Sequence, residues 1–205
     1  MFKKNLVLIT AMISSCTNAF ALDGGNSILV NRATYWRNAY VRQLSQSDTV
    51  APVKIQLEKT SVDSMVILFI SDTANETREI PTIFNKDYGE LMRFSRENNL
   101  TTKKFLAWYY STQPPWKVDV ALEIERIPSE LKGRINSRIE KGGEVLIAHV
   151  WGPYSELSKA YVEIGSWLKQ SKRTARGTPF EVYLNDPSIV KDPSEIRTDI
   201  YQLLQ

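Results

Sequence analysis

"FEVYLNDPSIVKDPSEIRTDIYQLL", Phe180 to Leu204, closes the chain with two extended segments joined by a Pro-rich loop. Side chains alternate along a strand, so Glu181 and Tyr183 turn one way while Phe180, Val182 and Leu184 turn the other. In the second segment Asp199, Tyr201 and Leu203 oppose Thr198 and Ile200. Pairing of the two segments is expected to gather two carboxylates and two phenols on one face.

Working upstream, "EVLIAHVW" from Glu144 reads as a strand and "GPYSELSKAYVEIGSWLKQS" from Gly152 as a helix. Tyr154, Leu157, Tyr161, Ile164 and Leu168 recur at spacings of three and four, an apolar stripe that should press on a sheet. Pro153 suits a first helical turn, where a missing N–H costs nothing.

An earlier pass has the same order. "VKIQLEK" and "SMVILFIS" read as strands, "NKDYGELMRFSRENN" as a helix, and "KFLAWYY" and "WKVDVALEI" as two strands around Pro114-Pro115. A Tyr-x-Glu-Leu core appears at Tyr88 and again at Tyr154, and Asp119 in "VDVALEI" answers Asp199 in "TDIYQLL". The reading is an α+β domain over residues 52–205: two strand-helix-strand-strand modules, 52–127 and 135–205, forming an antiparallel sheet with two main helices and a cleft between the halves. Such a seam suits a ligand.

The first residues read differently. Lys3 and Lys4, the apolar run Asn5 to Ile13 and Ala19-Phe20-Ala21 form a signal-peptide pattern with cleavage expected after Ala21. That run is shorter than the roughly 20 residues needed to span a bilayer. The expected location is periplasmic or secreted. Ile13-Ser14-Ser15-Cys16 offers a competing reading, lipidation at Cys16 with membrane attachment. From 22 to 51, Leu29, Ala33, Trp36, Tyr40 and Leu44 are spaced as an amphipathic helix.

Cys16 is the one cysteine, so a chain cut after Ala21 has neither disulfide nor thiol nucleophile. Loss of Lys3 and Lys4 takes the formal charge from +3 to +1, which gives no electrostatic reason to bind nucleic acid. His149, the single histidine, stands in an apolar strand and reads as structural; no zinc cluster or Ser-His-Asp triad assembles around it. No cofactor and no metal are expected.

"GPYSEL", "GTPFEVYLNDP" and "TDIYQLL" together closely resemble the GyrI-like family, the effector-binding domains found fused to bacterial transcription activators and multidrug-sensing regulators. The resemblance is strong over Glu144 to Leu204 and weaker over Val53 to Ile124. It implies a tandem fold that binds small, often cationic and lipophilic molecules in an aromatic cleft with an acid at its base. By position Glu181 matches that acid. Asp199 falls where the family more often has Glu, and Leu106 of the first pass falls where Glu181 stands in the second.

An acid among aromatic rings suits an organic cation, since each ring face contributes about 0.5–2 kcal/mol. The expected ligand-binding set is Glu181, Tyr183, Asp199, Tyr201, Tyr154, Trp151 and Trp108, with Tyr110 a further wall residue, and the expected partner is a small organic molecule. Two other functions are consistent with the sequence. One is hydrolysis of strained electrophilic toxins, with Glu181 as base and Tyr183 or Tyr201 as proton donor; the other is an envelope adaptor using the 22–51 helix.

Overall fold

The computed structural model describes residues 53–205; the signal-peptide and 22–51 helix expectations lie outside the described residues. Eight strands form one antiparallel sheet: β1 (Lys54–Val62), β2 (Met65–Ala74), β3 (Thr102–Tyr109), β4 (Trp116–Ile124), β5 (Asn136–Glu140), β6 (Gly143–Trp151), β7 (Phe180–Tyr183) and β8 (Arg197–Leu203). Helix α1 (Ile80–Glu97) follows β2 and α2 (Leu157–Ser171) follows β6, each led by one 3-10 turn. The fold is α+β, as the sequence indicates. No described helix is long and apolar enough to cross a membrane.

Strand order across the sheet is β1-β6-β8-β7-β3-β4-β2-β5. Read outward from the central β3–β7 pair, β4, β2 and β5 on one side answer β8, β6 and β1 on the other. Each outermost strand therefore belongs, by chain order, to the opposite module. β1 pairs with β6 and β5 with β2 in one unbroken register, from Lys54↔Trp151 to Phe69↔Asn136.

That exchange dictates the shape. β1 lies at one edge and β2 next to the other, yet only Asp63 and Ser64 separate them. Three Cα steps reach about 11 Å at most, so the sheet must curl until its two ends meet. The β1–β2 and β5–β6 links then cross each other. At the crossing the Gly142 N–H donates to Ser64 Oγ at 3.1 Å, and the Arg176 guanidinium donates to the carbonyls of Lys141 and Gly142.

Both helices pack on the outer face. α1 covers Leu68, Ile70, Val118, Val120 and Leu122, and α2 covers Leu146, Ala148, Val150 and Ile200. The inner face holds its own buried cluster, including Met65, Ile67, Leu106, Trp108, Val145, Phe180 and Leu203. Its rings form a cross-strand stack, Trp108 on Phe180 at 4.5 Å and Phe180 on Tyr201 at 5.2 Å between centroids.

The letter repeats divide. Asp119 and Asp199 are true counterparts: each accepts a hydrogen bond from the residue opposite it, Ser71 Oγ at 2.6 Å and His149 Nδ1 at 2.8 Å. The Tyr-x-Glu-Leu match is not structural, because Tyr88 lies in mid-helix whereas Tyr154 opens the 3-10 turn before α2. Pro153 stands before that turn in extended backbone, so the expected place in a first helical turn is also corrected. β5 escapes the sequence pattern because Ile139 is its only apolar residue.

The two aspartates fasten the exchanged edges. Arg138 of β5 donates to Asp119 at 2.5 Å while its guanidinium lies 4.4 Å over Trp108 and 4.5 Å over Phe69. On the other side His149 bridges Asp199 to Glu58 of β1, with Nε2 3.1 Å from Glu58 Oε2. A ring facing a carboxylate at each nitrogen is best served as imidazolium. Burial draws the His149 pKa down, but the bonds to Asp199 and Glu58 outweigh it and the net direction is up. A raised histidine stabilises the fold fully below its unfolded pKa and loses that contribution as pH rises through the folded value. Urea unfolding from about pH 5 to about pH 9, a span that includes the histidine range, should show this decline in the native chain and a shallower one in His149→Gln, which keeps only the slope set by the buried carboxyls.

Candidate functional site

β7 is where the two faces of the sheet differ most. Glu181 and Tyr183 turn outward beneath the helices, and Phe180 and Val182 turn inward. Directly across the β3–β7 junction, Glu181 meets Ala107. A methyl group there leaves room beside the carboxylate for aromatic rings.

Glu181 is 6% exposed and held at both oxygens. The Tyr183 hydroxyl donates to Oε2 at 2.6 Å, and Tyr161 reaches down from α2 to donate to Oε1 at 2.9 Å. Around them stand rings from three elements, α1, β3 and the 3-10 turn before α2. Phe84 of α1 lies 6.3 Å from Tyr183 and 6.1 Å from Tyr109, and Tyr154 meets Tyr183 edge-on at 5.7 Å. Tyr88 packs against Phe84 and Phe105 and donates its hydroxyl to the Leu106 carbonyl at 2.8 Å.

Burial raises the Glu181 pKa above the usual carboxylate range, and the two phenol bonds offset part of that rise. The same burial pushes Tyr88, Tyr161 and Tyr183 well above the ordinary phenol value, so all three remain donors at any physiological pH. The result is one acid inside an aromatic nest at the junction of the two halves. Among the described residues no three acids, histidines or cysteines are grouped to hold a metal. An open depression on the outer surface of α2, lined by Ser158, Lys159, Val162 and Glu163, contains neither rings nor a buried acid.

The expected set divides between the faces. Glu181, Tyr183 and Tyr154 come together. Asp199, Tyr201, Trp151 and Trp108 do not join them, because Glu181 is opposite Ile200 and Val182 is opposite Asp199. The expectation of one shared acid-phenol face is thereby corrected: the strands pair, but one residue out of step with it. On the inner face Asp199 binds His149, Tyr201 and Trp108 belong to the ring stack, and Trp151 lies between Lys54 at 4.6 Å and Arg197 at 5.7 Å. The Tyr110 hydroxyl donates to Asp119. Leu106 also faces inward, so the first-half counterpart of Glu181 by face is Ala107.

The residues missed are Tyr161, Phe84, Tyr88, Tyr109 and Phe105. Tyr161 was visible only as one ring of an apolar helical stripe, and nothing in that spacing indicates that its hydroxyl reaches an acid across 20 residues of chain.

The family model of the GyrI-like small molecule binding domain matches residues 59–204. The chain belongs to the GyrI-like family. Solved structures agree on the fold. The C-terminal domain of EcmrR is 14% identical with a TM-score of 0.66, over 74% of this chain and 98% of that one. EcmrR in complex with DNA is 13% identical with a TM-score of 0.63, over 84% of this chain; the GyrI-like chain spans 65% of that regulator's length. A protein described as a hydrolase from Listeria innocua is 12% identical with a TM-score of 0.52, over 73% and 92%. Comparison with curated proteins gave no match.

Proposed function

We infer that this GyrI-like domain captures a small lipophilic organic cation against Glu181, in a protein delivered outside the cytoplasm. The observation that carries the reading is a single buried carboxylate held by two phenols within a box of rings. A cation entering the box gains the ring faces and the charge together, while a neutral guest gains only contact area. Ala107 opposite Glu181 means that one half alone brings the acid, so a guest with one charged end has one favoured orientation.

Binding should follow ionisation of Glu181. Because burial raises that pKa, cation affinity should climb as pH rises through a range more alkaline than an ordinary glutamate would show. Titration of lipophilic cationic dyes against tryptophan fluorescence at several pH values tests this, and affinity that ignores pH would remove the carboxylate from the site.

Hydrolysis is the weaker reading. A general base needs water within hydrogen-bond reach, whereas both Glu181 oxygens are engaged by phenols. The EcmrR–DNA complex carries this fold beside DNA, but the formal charge of +1 expected after cleavage at Ala21 offers this chain little attraction to DNA. Export rests on Lys3, Lys4, the apolar run and Ala19-Phe20-Ala21. Intact mass of the mature protein should place its first residue at Leu22; a chain retaining residues 1–21 would refute export by this route, and a diacylated Cys16 would replace it with anchoring.

A further inference from the structure

Trp116 opens β4 with its side chain on the outer face, two residues before Val118, which is opposite Tyr109. It belongs to the same buried cluster as Phe84, Tyr88 and Tyr183, against which Tyr109 and Tyr154 pack, and it is 8% exposed. Its indole Nε1 is buried and has no hydrogen-bond partner among the described residues. Asn85, which follows Phe84 on α1, likewise keeps Oδ1 buried without a partner. Indole can only donate, and a buried donor left unpaired is rare in native proteins.

The place of this donor gives it meaning. Phe84 links Tyr183 to Tyr109, so the rings run continuously from the Glu181 end toward Trp116, which lies one same-face step beyond the partner of Tyr109. One end of the aromatic box thus has a carboxylate and the other an unpaired N–H. We propose that Trp116 Nε1 is a second polar contact of the ligand site, donating to a carbonyl or ether oxygen on the guest whose cationic end meets Glu181. The preferred ligand class narrows accordingly, from lipophilic cations in general to cations bearing a hydrogen-bond acceptor at their far end. This rests on the Glu181 reading and adds a separate determinant to it.

The test uses matched pairs of benzylic trimethylammonium probes in which a ketone, or the methylene replacing it, stands at increasing distance from the charge. At one distance the ketone should bind the native protein about five- to tenfold more tightly than its methylene twin, the size of one neutral hydrogen bond. Trp116→Phe, which keeps an aromatic side chain and removes the donor, should abolish that preference, so that the ketone and methylene probes bind the variant equally tightly. The methylene twin guards against a folding defect, since disturbed packing would weaken both probes, and urea unfolding of Trp116→Phe checks it directly. Absence of a ketone preference at every distance, or a preference that survives Trp116→Phe, overturns the proposal. Glu181→Gln separates the two claims: if it weakens no probe, the reading of the acid fails whatever Trp116 does.

Discussion

Gly142→Ala is expected to lose at least ~3 kcal/mol of folding stability, the scale of forced overpacking where the neighbour cannot yield. A β-carbon at this position would stand 2.2 Å from the Val62 carbonyl oxygen, 2.5 Å from the Asp63 carbonyl carbon and 2.7 Å from the Ser64 nitrogen. All three are backbone atoms. Relief requires the crossing links to separate, which breaks the bond from Gly142 to Ser64 and disturbs the register that joins β1 to β6 and β5 to β2. Gly165→Ala is the control, because its β-carbon on α2 would meet nothing within 4 Å and alanine favours helix by about 1 kcal/mol over glycine. Urea unfolding of both variants decides the matter; a Gly142→Ala protein within about 1 kcal/mol of the native chain would show that the crossing has slack.

Glu181→Gln should weaken binding of lipophilic cations by about tenfold to a hundredfold, the range of a hydrogen bond to a charged group. The same change should stabilise the empty fold at neutral pH. The raised pKa means that the native state favours the neutral acid, so the fold loses stability as pH rises from the unfolded value through the folded one. An amide has no charge to desolvate, and its oxygen still accepts from one phenol. Thermal unfolding and dye titration should therefore move in opposite directions, with a higher melting temperature and a weaker complex. A variant that binds as the native protein does would dismiss the nest as a cation site, whereas a lower melting temperature alone would mean that the phenol bonds outweigh desolvation.

Much of the architecture is legible in the letters, and what is not legible is hidden for a physical reason. Strands such as "EVLIAHVW" and helices with apolar stripes announce themselves because one face of each meets a core. The relative phase of β7 and β8 does not, since α1 and α2 cover one face of the sheet and its own curl covers the other. Phe180, Glu181, Val182 and Tyr183 are all buried, as are Asp199 and Ile200, so no wet side remains to distinguish in from out. A shift of one residue in the loop from Leu184 to Ile196 would put Asp199 beside Glu181. Tyr161 was hidden for a related reason: a phenol in a helical stripe looks the same whether it fills space or grips an acid. Glu181 is legible because it alternates with Tyr183 along the strand and falls at the family's acid position.

The exchange of outermost strands has a consequence for the inheritance of this fold. Two copies of a module that merely touched could drift apart, be lost singly or be shuffled into other chains. Here each copy lends its first strand to its twin, and neither can close its own wall alone. The two halves thus form a single indivisible object. Ala107 stands opposite Glu181 across the central pair, so the jointly built shell encloses a one-sided interior.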